Sequence, residues 1–216
     1  MLKIFAWPGV WAGLLSLLAF ASAAQAQSPE APTETTPAQV GTGTLVVDVK
    51  PFQSEKDLPK KVVKRLQNGG LEWGVNNGQV VFTIVAKQFI DFPINHLTRY
   101  GASETLTLPA GEYRLTGIGL EFNTAFSVEK ILEKGAYVNE DIVTFRIEPG
   151  QTTTLSILPM IKIDRTFAVN VWVPSLMTSV IDPSGNATEP VAVNDRNEHS
   201  IIWPNYTGPL KFVPKK

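Results

Sequence analysis

The fold class of this chain is decided by one stretch, Leu106-Thr107-Leu108-Pro109-Ala110-Gly111-Glu112-Tyr113-Arg114-Leu115. Apolar and polar residues alternate up to Leu108, and the alternation resumes at Tyr113. This period of two is typical of a strand with one buried face. Pro109 suits the second position of a tight turn because its ring holds φ at about −65°, and Gly111 suits the fourth position. The stretch therefore predicts a strand, a tight turn and a second strand.

The same arrangement recurs at Val143–Leu158. Alternation in its first half predicts a strand, and Glu148-Pro149-Gly150-Gln151 follows as a turn. Gly150 stands third, where a type II turn needs a positive φ that glycine adopts without a steric penalty. Two such strand pairs, each with one apolar face, must bury those faces against another layer. We therefore expect an all-β protein with an antiparallel β-sandwich fold.

Strand-like runs recur along the rest of the chain, as in a sandwich and unlike alternating β and α units. They lie at Thr44–Lys50, Gln79–Ala86 and Phe167–Val173, and near Val191–Val193, Ile201–Trp203 and Leu210–Phe212. Gln79–Ala86 is apolar on both faces, which predicts a central position in a sheet. The inward phase changes after Leu115, so we expect a β-bulge at Thr116-Gly117 that keeps both apolar runs inside. Lys87–Ser103 is expected to pack as a loop over a sheet edge or the mouth of the sandwich.

Two segments show helical spacing and are expected to be short helices. Asp57–Gly70 has apolar residues four apart among basic ones, and glycine ends it. Its basic face is interpreted as solvated, with contact to an anionic partner as the alternative. Ser127–Gly135 begins with an N-cap serine and ends with a glycine.

The N-terminus is typical of an exported bacterial protein. Met1–Ala26 has a lysine, an apolar run and an Ala-Gln-Ala site, which predict a cleaved signal peptide. An uncleaved anchor is the alternative. Gln27–Gly43 is rich in Pro, Thr, Ala and Glu, and predicts a disordered linker. Residues 44–216 then form a single domain, periplasmic or secreted, with no membrane span if the peptide is cleaved.

Composition excludes several classes of function. The chain has 216 residues, 44% hydrophobic and 18% charged, with a formal net charge of −1. Net charge gives no attraction to nucleic acid or to an anionic membrane surface. Cysteine is absent, so disulfides, thiol catalysis and zinc–thiolate sites are excluded. No cofactor is implied.

The two turn segments also carry a resemblance to known families. Leu108–Leu115, followed by Ile147–Leu155, resembles the turn signatures of bacterial carboxypeptidase-regulatory-like, transthyretin-like and PEGA-type sandwich modules. The resemblance covers about residues 106–158 and implies an Ig-like or transthyretin-like sandwich that acts as a non-catalytic module on an exported protein. The segment between the turns is longer than in those compact modules. No functional residue is implied, because the matching positions are turn formers.

Candidate catalytic and metal-binding groups are few. A hydrolytic triad would need His96 or His199 with Ser103 or Ser200, and no Gly-x-Ser-x-Gly elbow supports either serine. Carboxylates for a glycoside hydrolase would come from Glu112, Glu121, Glu140, Asp141 and Glu148. Asp182–Asn186 has a weak similarity to a calcium loop and is interpreted as a turn. We therefore assign no catalytic residue and no metal ligand.

Aromatic residues give the only candidate binding site. Trp203, Asn205 and Tyr206 lie in a Pro/Gly-rich tail, and Trp73 and Trp172 are the other tryptophans outside the signal peptide. Exposed aromatic rings on a β-sandwich stack on sugars, and amides bond their hydroxyls. The alternative is that Trp203 and Tyr206 hold the C-terminus against the core.

These observations favour a non-catalytic accessory or binding module of the bacterial envelope. It would contact another envelope protein through a sheet edge or a loop end. A glycan-binding module is the first alternative, and a periplasmic hydrolase is the second.

Overall fold

The computed structural model describes residues 41–83, 90–121, 135–165 and 170–213, and within 164–165 and 170–173 it describes the backbone alone. All of these residues belong to one compact unit. The predicted signal peptide, the linker up to residue 40, the second helix up to Lys134 and residues 166–169 lie outside the described residues.

The described chain is a β-sandwich of two six-stranded sheets, as predicted. The strands are β1 Thr42–Val49, β2 Gln53–Ser54, β3 Gly70–Asn76, β4 Gln79–Thr83, β5 His96–Arg99, β6 Ala102–Pro109, β7 Gly111–Leu120, β8 Ala136–Ile147, β9 Thr152–Arg165, β10 Asn170–Ile181, β11 Val191–Ala192 and β12 Ile201–Ile202. The first sheet has the order β11-β10-β9-β1-β6, with β2 also pairing with β9. The second has the order β12-β8-β7-β4-β3-β5.

The sandwich is mostly antiparallel, as expected, but each sheet also contains parallel pairs. Strand β1 runs parallel to β9, and β4 runs parallel to β7. The short β2 also runs parallel to β9. These partners are distant in sequence and meet in the middle of a sheet, where no hairpin turn imposes an antiparallel direction.

The two turns predicted from the sequence are present, but neither closes a hairpin. Residues 109–111 carry the chain from β6 in the first sheet to β7 in the second. The turn at 148–151 carries it back, from β8 to β9. Gly150 has φ +69°, and Gln151 N donates to Glu148 O over 3.1 Å. The expected pairing within each segment is therefore wrong, since alternation and turn residues do not specify which sheet the next strand joins.

The main core lies between the sheets, and a second apolar cluster covers the outer face of the second sheet. Leu115 faces the main core, whereas Ile118 belongs to the outer cluster with Ile90, Ile94 and Trp203. The predicted register shift between Leu115 and Gly117 is confirmed, with the extra residues on β8. Its expected purpose is wrong, because the two apolar runs face opposite sides of the sheet. The segment from Ile90 to Ile94, expected over an edge or the sandwich mouth, packs on that outer face.

The first predicted helix is confirmed as α1, Lys60–Gln67. It follows Pro59 and ends at Asn68, where Gly69 N donates to Leu66 O over 2.9 Å. The central strand predicted at Gln79–Ala86 is confirmed over its described part, since β4 lies between β3 and β7; residues 84–86 lie outside the described residues. Within the described ranges, no helix has the length and apolar character needed to cross a membrane.

Candidate functional site

Two of the predicted binding aromatics are buried. Trp73 is fully buried in the main core, and its Nε1 donates to Thr98 Oγ1 over 2.9 Å. Trp203 is 7% exposed in the outer cluster, with its ring centroid 6.3 Å from that of Tyr206. A stacked sugar needs an open ring face, and neither tryptophan offers one.

Tyr206 fixes the C-terminal tail to the second sheet. Its hydroxyl donates to Glu140 Oε1 over 2.5 Å. Burial, followed by the hydrogen bond to Glu140, raises the pKa of Tyr206 well above its ordinary value. Asn205 is exposed beside it, and Trp172 lies on β10, where only the backbone is described. Trp203 and Tyr206 therefore hold the C-terminal tail against the protein, which is the alternative given in the sequence analysis.

The other candidate groups are dispersed. His199 is 84% exposed beside Glu198, far along the chain from His96. The Asp182 carboxylate accepts from the backbone N–H of Ser184 and of Asn186 over 2.9 and 2.8 Å, so this segment is a turn that uses the oxygens a calcium ion would need. Among the described residues, no three His, Cys, Asp or Glu side chains are grouped to hold a metal ion.

A carboxylate outside the predicted candidates lies on the core-facing side of β6. Glu104 stands opposite Val47 in the β1–β6 ladder, and residues directly opposite each other share a face. Val47 is fully buried between the sheets. Glu104 Oε1 lies 2.5 Å from His96 Nδ1, and Glu104 Oε2 accepts from Thr98 Oγ1 over 2.8 Å. We call Glu104, His96 and Thr98 the polar seam, since they join β6 of the first sheet to β5 of the second.

Trp73 packs against the His96 imidazole of the polar seam. Its ring stacks on the His96 imidazole with centroids 4.4 Å apart and planes 21° apart. Because an ionised carboxylate only accepts hydrogen bonds, Nδ1 is the donor to Glu104. Ser103, the nucleophile that a triad with His96 would use, instead donates to Asp48 Oδ1 over 2.9 Å. The seam therefore closes the end of the core and orients an imidazole without a hydroxyl bonded to it.

The backbone of β6 is open along its outer edge among the described residues. Ala110 N donates to Gly41 O over 2.7 Å. This bond shows which alternate residues of β6 form hydrogen bonds with β1. Even-numbered residues of β6 direct their N–H and C=O groups toward β1. Ser103, Thr105 and Thr107 direct theirs away from the sheet. These three residues are exposed, and the chain between 102 and 108 carries no proline and no lysine.

A groove lies at the far end of this edge. It measures about 550 Å³ and is lined by Val75–Gly78 from the β3–β4 turn and by Leu108–Tyr113 from the β6–β7 corner. Leu106 and Leu108 are half-buried and pack against the main core. An extended segment paired with β6 would place alternate side chains beside these leucines and toward the groove.

The opposite side of the sandwich is closed by residues 191–200, which we call the clasp. Asn139 of β8 is 1% exposed, and its Nδ2 donates to Val193 O and Asp195 O over 3.0 and 2.8 Å. Asn194 Oδ1 accepts from Leu176 N over 2.6 Å on β10. Tyr137 OH donates to Asn194 O over 3.0 Å. The clasp thus bonds to both sheets, so the two sides of the sandwich differ in what covers them.

Comparison of the chain with family models, with curated proteins and with solved structures gives no match. The resemblance to carboxypeptidase-regulatory-like, transthyretin-like and PEGA-type modules therefore stays a prediction, and the site is described from its own geometry.

The polar seam had a signal in the sequence. Glu104 is in phase with Leu106 and Leu108, so alternation alone put a charge on the apolar side of β6. A charge at an inward position needs a partner. The partners could not be identified, because His96 and Thr98 reach it from the other sheet.

Proposed function

We propose that this protein is a non-catalytic accessory module that binds an extended segment of another envelope protein by adding it as a strand to β6. The observation that supports the proposal is the outer edge of β6 from Ala102 to Leu108, which ends at Pro109 and has outward amides and carbonyls at Ser103, Thr105 and Thr107. Long edges without lysine, proline or a bulge are templates for strand addition.

The lengths of the edge strands favour β6 as the binding edge over β5, β11 and β12. Strands β11 and β12, at the edges near the clasp, have two residues each. Strand β5 has four residues. Strand β6, with eight residues, is longer than these three edge strands, and a partner strand gains one backbone hydrogen bond for each outward donor or acceptor that it meets.

The polar seam keeps this edge usable. An inward charge normally discourages edge pairing, but both Glu104 oxygens are already bonded inside the sandwich. The carboxylate therefore does not compete with a partner strand for the outward N–H groups. Side chains of the bound segment next to Leu106 and Leu108 are expected to be apolar, since they would cover half-buried leucines.

The decisive test is T105P, a change that removes one outward amide. Thr105 makes no ladder bond to β1, and proline is tolerated on edge strands, so the domain should fold. A photo-crosslinking side chain at Thr107 would capture the partner segment in native envelopes. We expect T105P to lower capture by about tenfold, because a lost hydrogen bond and a ring in the pairing plane together exceed ~1.4 kcal/mol.

T105A is the matched control, because it removes the same side chain and keeps the amide. Capture by T105A should equal that by the unaltered chain, and the amides of Ser103, Thr105 and Thr107 should gain hydrogen-exchange protection when the captured segment is added as a peptide. Equal capture by T105P and T105A, with both variants folded, would show that the partner does not pair with β6.

A further inference from the structure

Helix α1 carries a one-sided cluster of positive charge. Its exposed cations are Lys60, Lys61, Lys64 and Arg65, and its half-buried apolar residues are Val62, Val63 and Leu66. At 3.6 residues per turn, the four cations occupy about 140° of the helix circumference and the apolar residues occupy the opposite side. The cationic face, named here by its four residues, is therefore directed to solvent.

The cations of this face are unpaired, unlike most others in the described chain. No ion pair joins any of the four to a carboxylate among the described residues. Ion-paired cations elsewhere are Lys50, Arg114, Arg146, Lys162 and Arg196.

The cationic face also weakens the helix that bears it. Lys60 with Lys64, and Lys61 with Arg65, are like charges four residues apart, a spacing that destabilises a helix. Lys60 and Lys61 lie in the first turn, which contains no acidic residue, although the helix dipole favours negative charge there. A negatively charged partner would relieve both effects.

The remainder of the chain has the opposite sign. Without these four, 15 basic side chains remain against 20 acidic ones. Glu55 and Asp57 precede the helix and are exposed, so they reduce the local charge without removing its sign. A negatively charged surface would repel the rest of the protein and attract α1, which would fix the orientation of the bound molecule.

We propose that the cationic face of α1 binds an anionic lipid bilayer surface. A bilayer fits better than a single bound anion because the four cations spread along a convex helix for about 7.5 Å. They line neither the groove at the β6–β7 corner nor two further grooves of the described residues. A phosphate-sized ligand needs donors that converge, whereas a dispersed row of cations matches a plane of separate headgroups.

The test is vesicle co-sedimentation of the whole chain. Vesicles with about a third phosphatidylglycerol in phosphatidylcholine are compared with pure phosphatidylcholine. The variant K60Q/K61Q/K64Q/R65Q should lose about 100-fold in partitioning to the anionic vesicles. Binding of the unaltered chain should also fall at high salt, because the charges are exposed.

The matched control is R114Q/R146Q/R196Q/K211Q, which removes the same charge from four positions outside the helix. Its partitioning should change by less than about threefold. Circular dichroism checks that both variants keep their fold. The proposal is overturned if the two variants lose binding equally, or if the unaltered chain ignores the anionic vesicles. Binding to soluble polyphosphate without binding to vesicles would also overturn it.

Discussion

Asn139 is the residue on which the clasp depends most, and N139L measures that dependence. Its Nδ2 donates to the carbonyl oxygens of Val193 and Asp195, and its Oδ1 accepts from Ser200 Oγ over 2.6 Å. Leucine has nearly the same shape, so the change removes three hydrogen bonds without creating a large cavity. It leaves the Val193 carbonyl without its side-chain donor.

The expected loss follows from these bonds. Each contributes about 1 kcal/mol net, and an orphaned buried acceptor adds a penalty of about 1 kcal/mol or more. We expect N139L to lower the free energy of unfolding by about 4 kcal/mol, and the melting temperature by roughly 8–16 °C for a domain of this size. Urea unfolding measures the midpoint and the m-value, and hydrogen exchange of the Leu176 amide reports on the clasp itself.

N205L is the control, because Asn205 is exposed and the same change should cost less than about 0.5 kcal/mol there. If the free energy of unfolding of N139L lies within about 0.5 kcal/mol of that of the unaltered chain, the clasp does not hold the two sheets together. An unchanged Leu176 exchange rate in N139L would lead to the same conclusion.

Three further changes test other parts of the sandwich. G117A should destabilise the fold by more than about 2 kcal/mol, since a Cβ at Gly117 would collide with the Val193 carbonyl oxygen; an unfolding midpoint equal to that of the unaltered chain would contradict this close approach. E104Q should cost about 1–2 kcal/mol by weakening the bonds to His96 and Thr98, as measured by urea unfolding, and an unchanged midpoint would mean that the seam is not a bonded unit. Burial, followed by the charges of Asp195 and Glu121, raises the pKa of Tyr137 to about 12. The protonated phenol is thus favoured in the fold, and the stability it contributes is complete below pH 10 and lost as the pH rises toward 12; Y137F should flatten that alkaline decline, and an equally steep decline would assign it to other groups.

Strand alternation was enough to locate strands and their inward faces. Leu45, Val47 and Val49 are all fully buried, as their spacing predicted. The turn at Gly150 was predicted just as well, because a positive φ is a local requirement that glycine satisfies.

The partner of each strand could not be obtained in the same way. A Pro-Ala-Gly turn suits a hairpin and a corner between sheets equally, so the pattern around Pro109 does not reveal that β6 and β7 lie in different sheets. The outer cluster was missed for a related reason. Ile118 and Leu115 have opposite phases, which a sheet with one buried face cannot accommodate, but the second sheet has two buried faces.

The candidate site depends on distant contacts even more strongly. The open edge of β6 is defined by what does not pair with it, which a local pattern cannot reveal. Trp203 stands among Pro, Gly and Asn, a context typical of an exposed loop, yet packing against the second sheet buries it. Composition describes the surroundings of a residue in sequence, whereas burial depends on its surroundings in space.

The parallel pairing of β1 with β9 sets the order in which the molecule can be completed. Thr44 lies opposite Thr152, so β1, an inner strand of the first sheet, cannot pair with β9 until roughly a hundred more residues have been synthesised. Its other neighbour, β6, arrives about sixty residues later. A nascent chain therefore cannot finish either face of the core early, and refolding should be slow, on the scale of milliseconds to seconds or longer. The chain therefore stays unfolded until its second half has been synthesised, which would suit passage through a narrow translocation pore before folding.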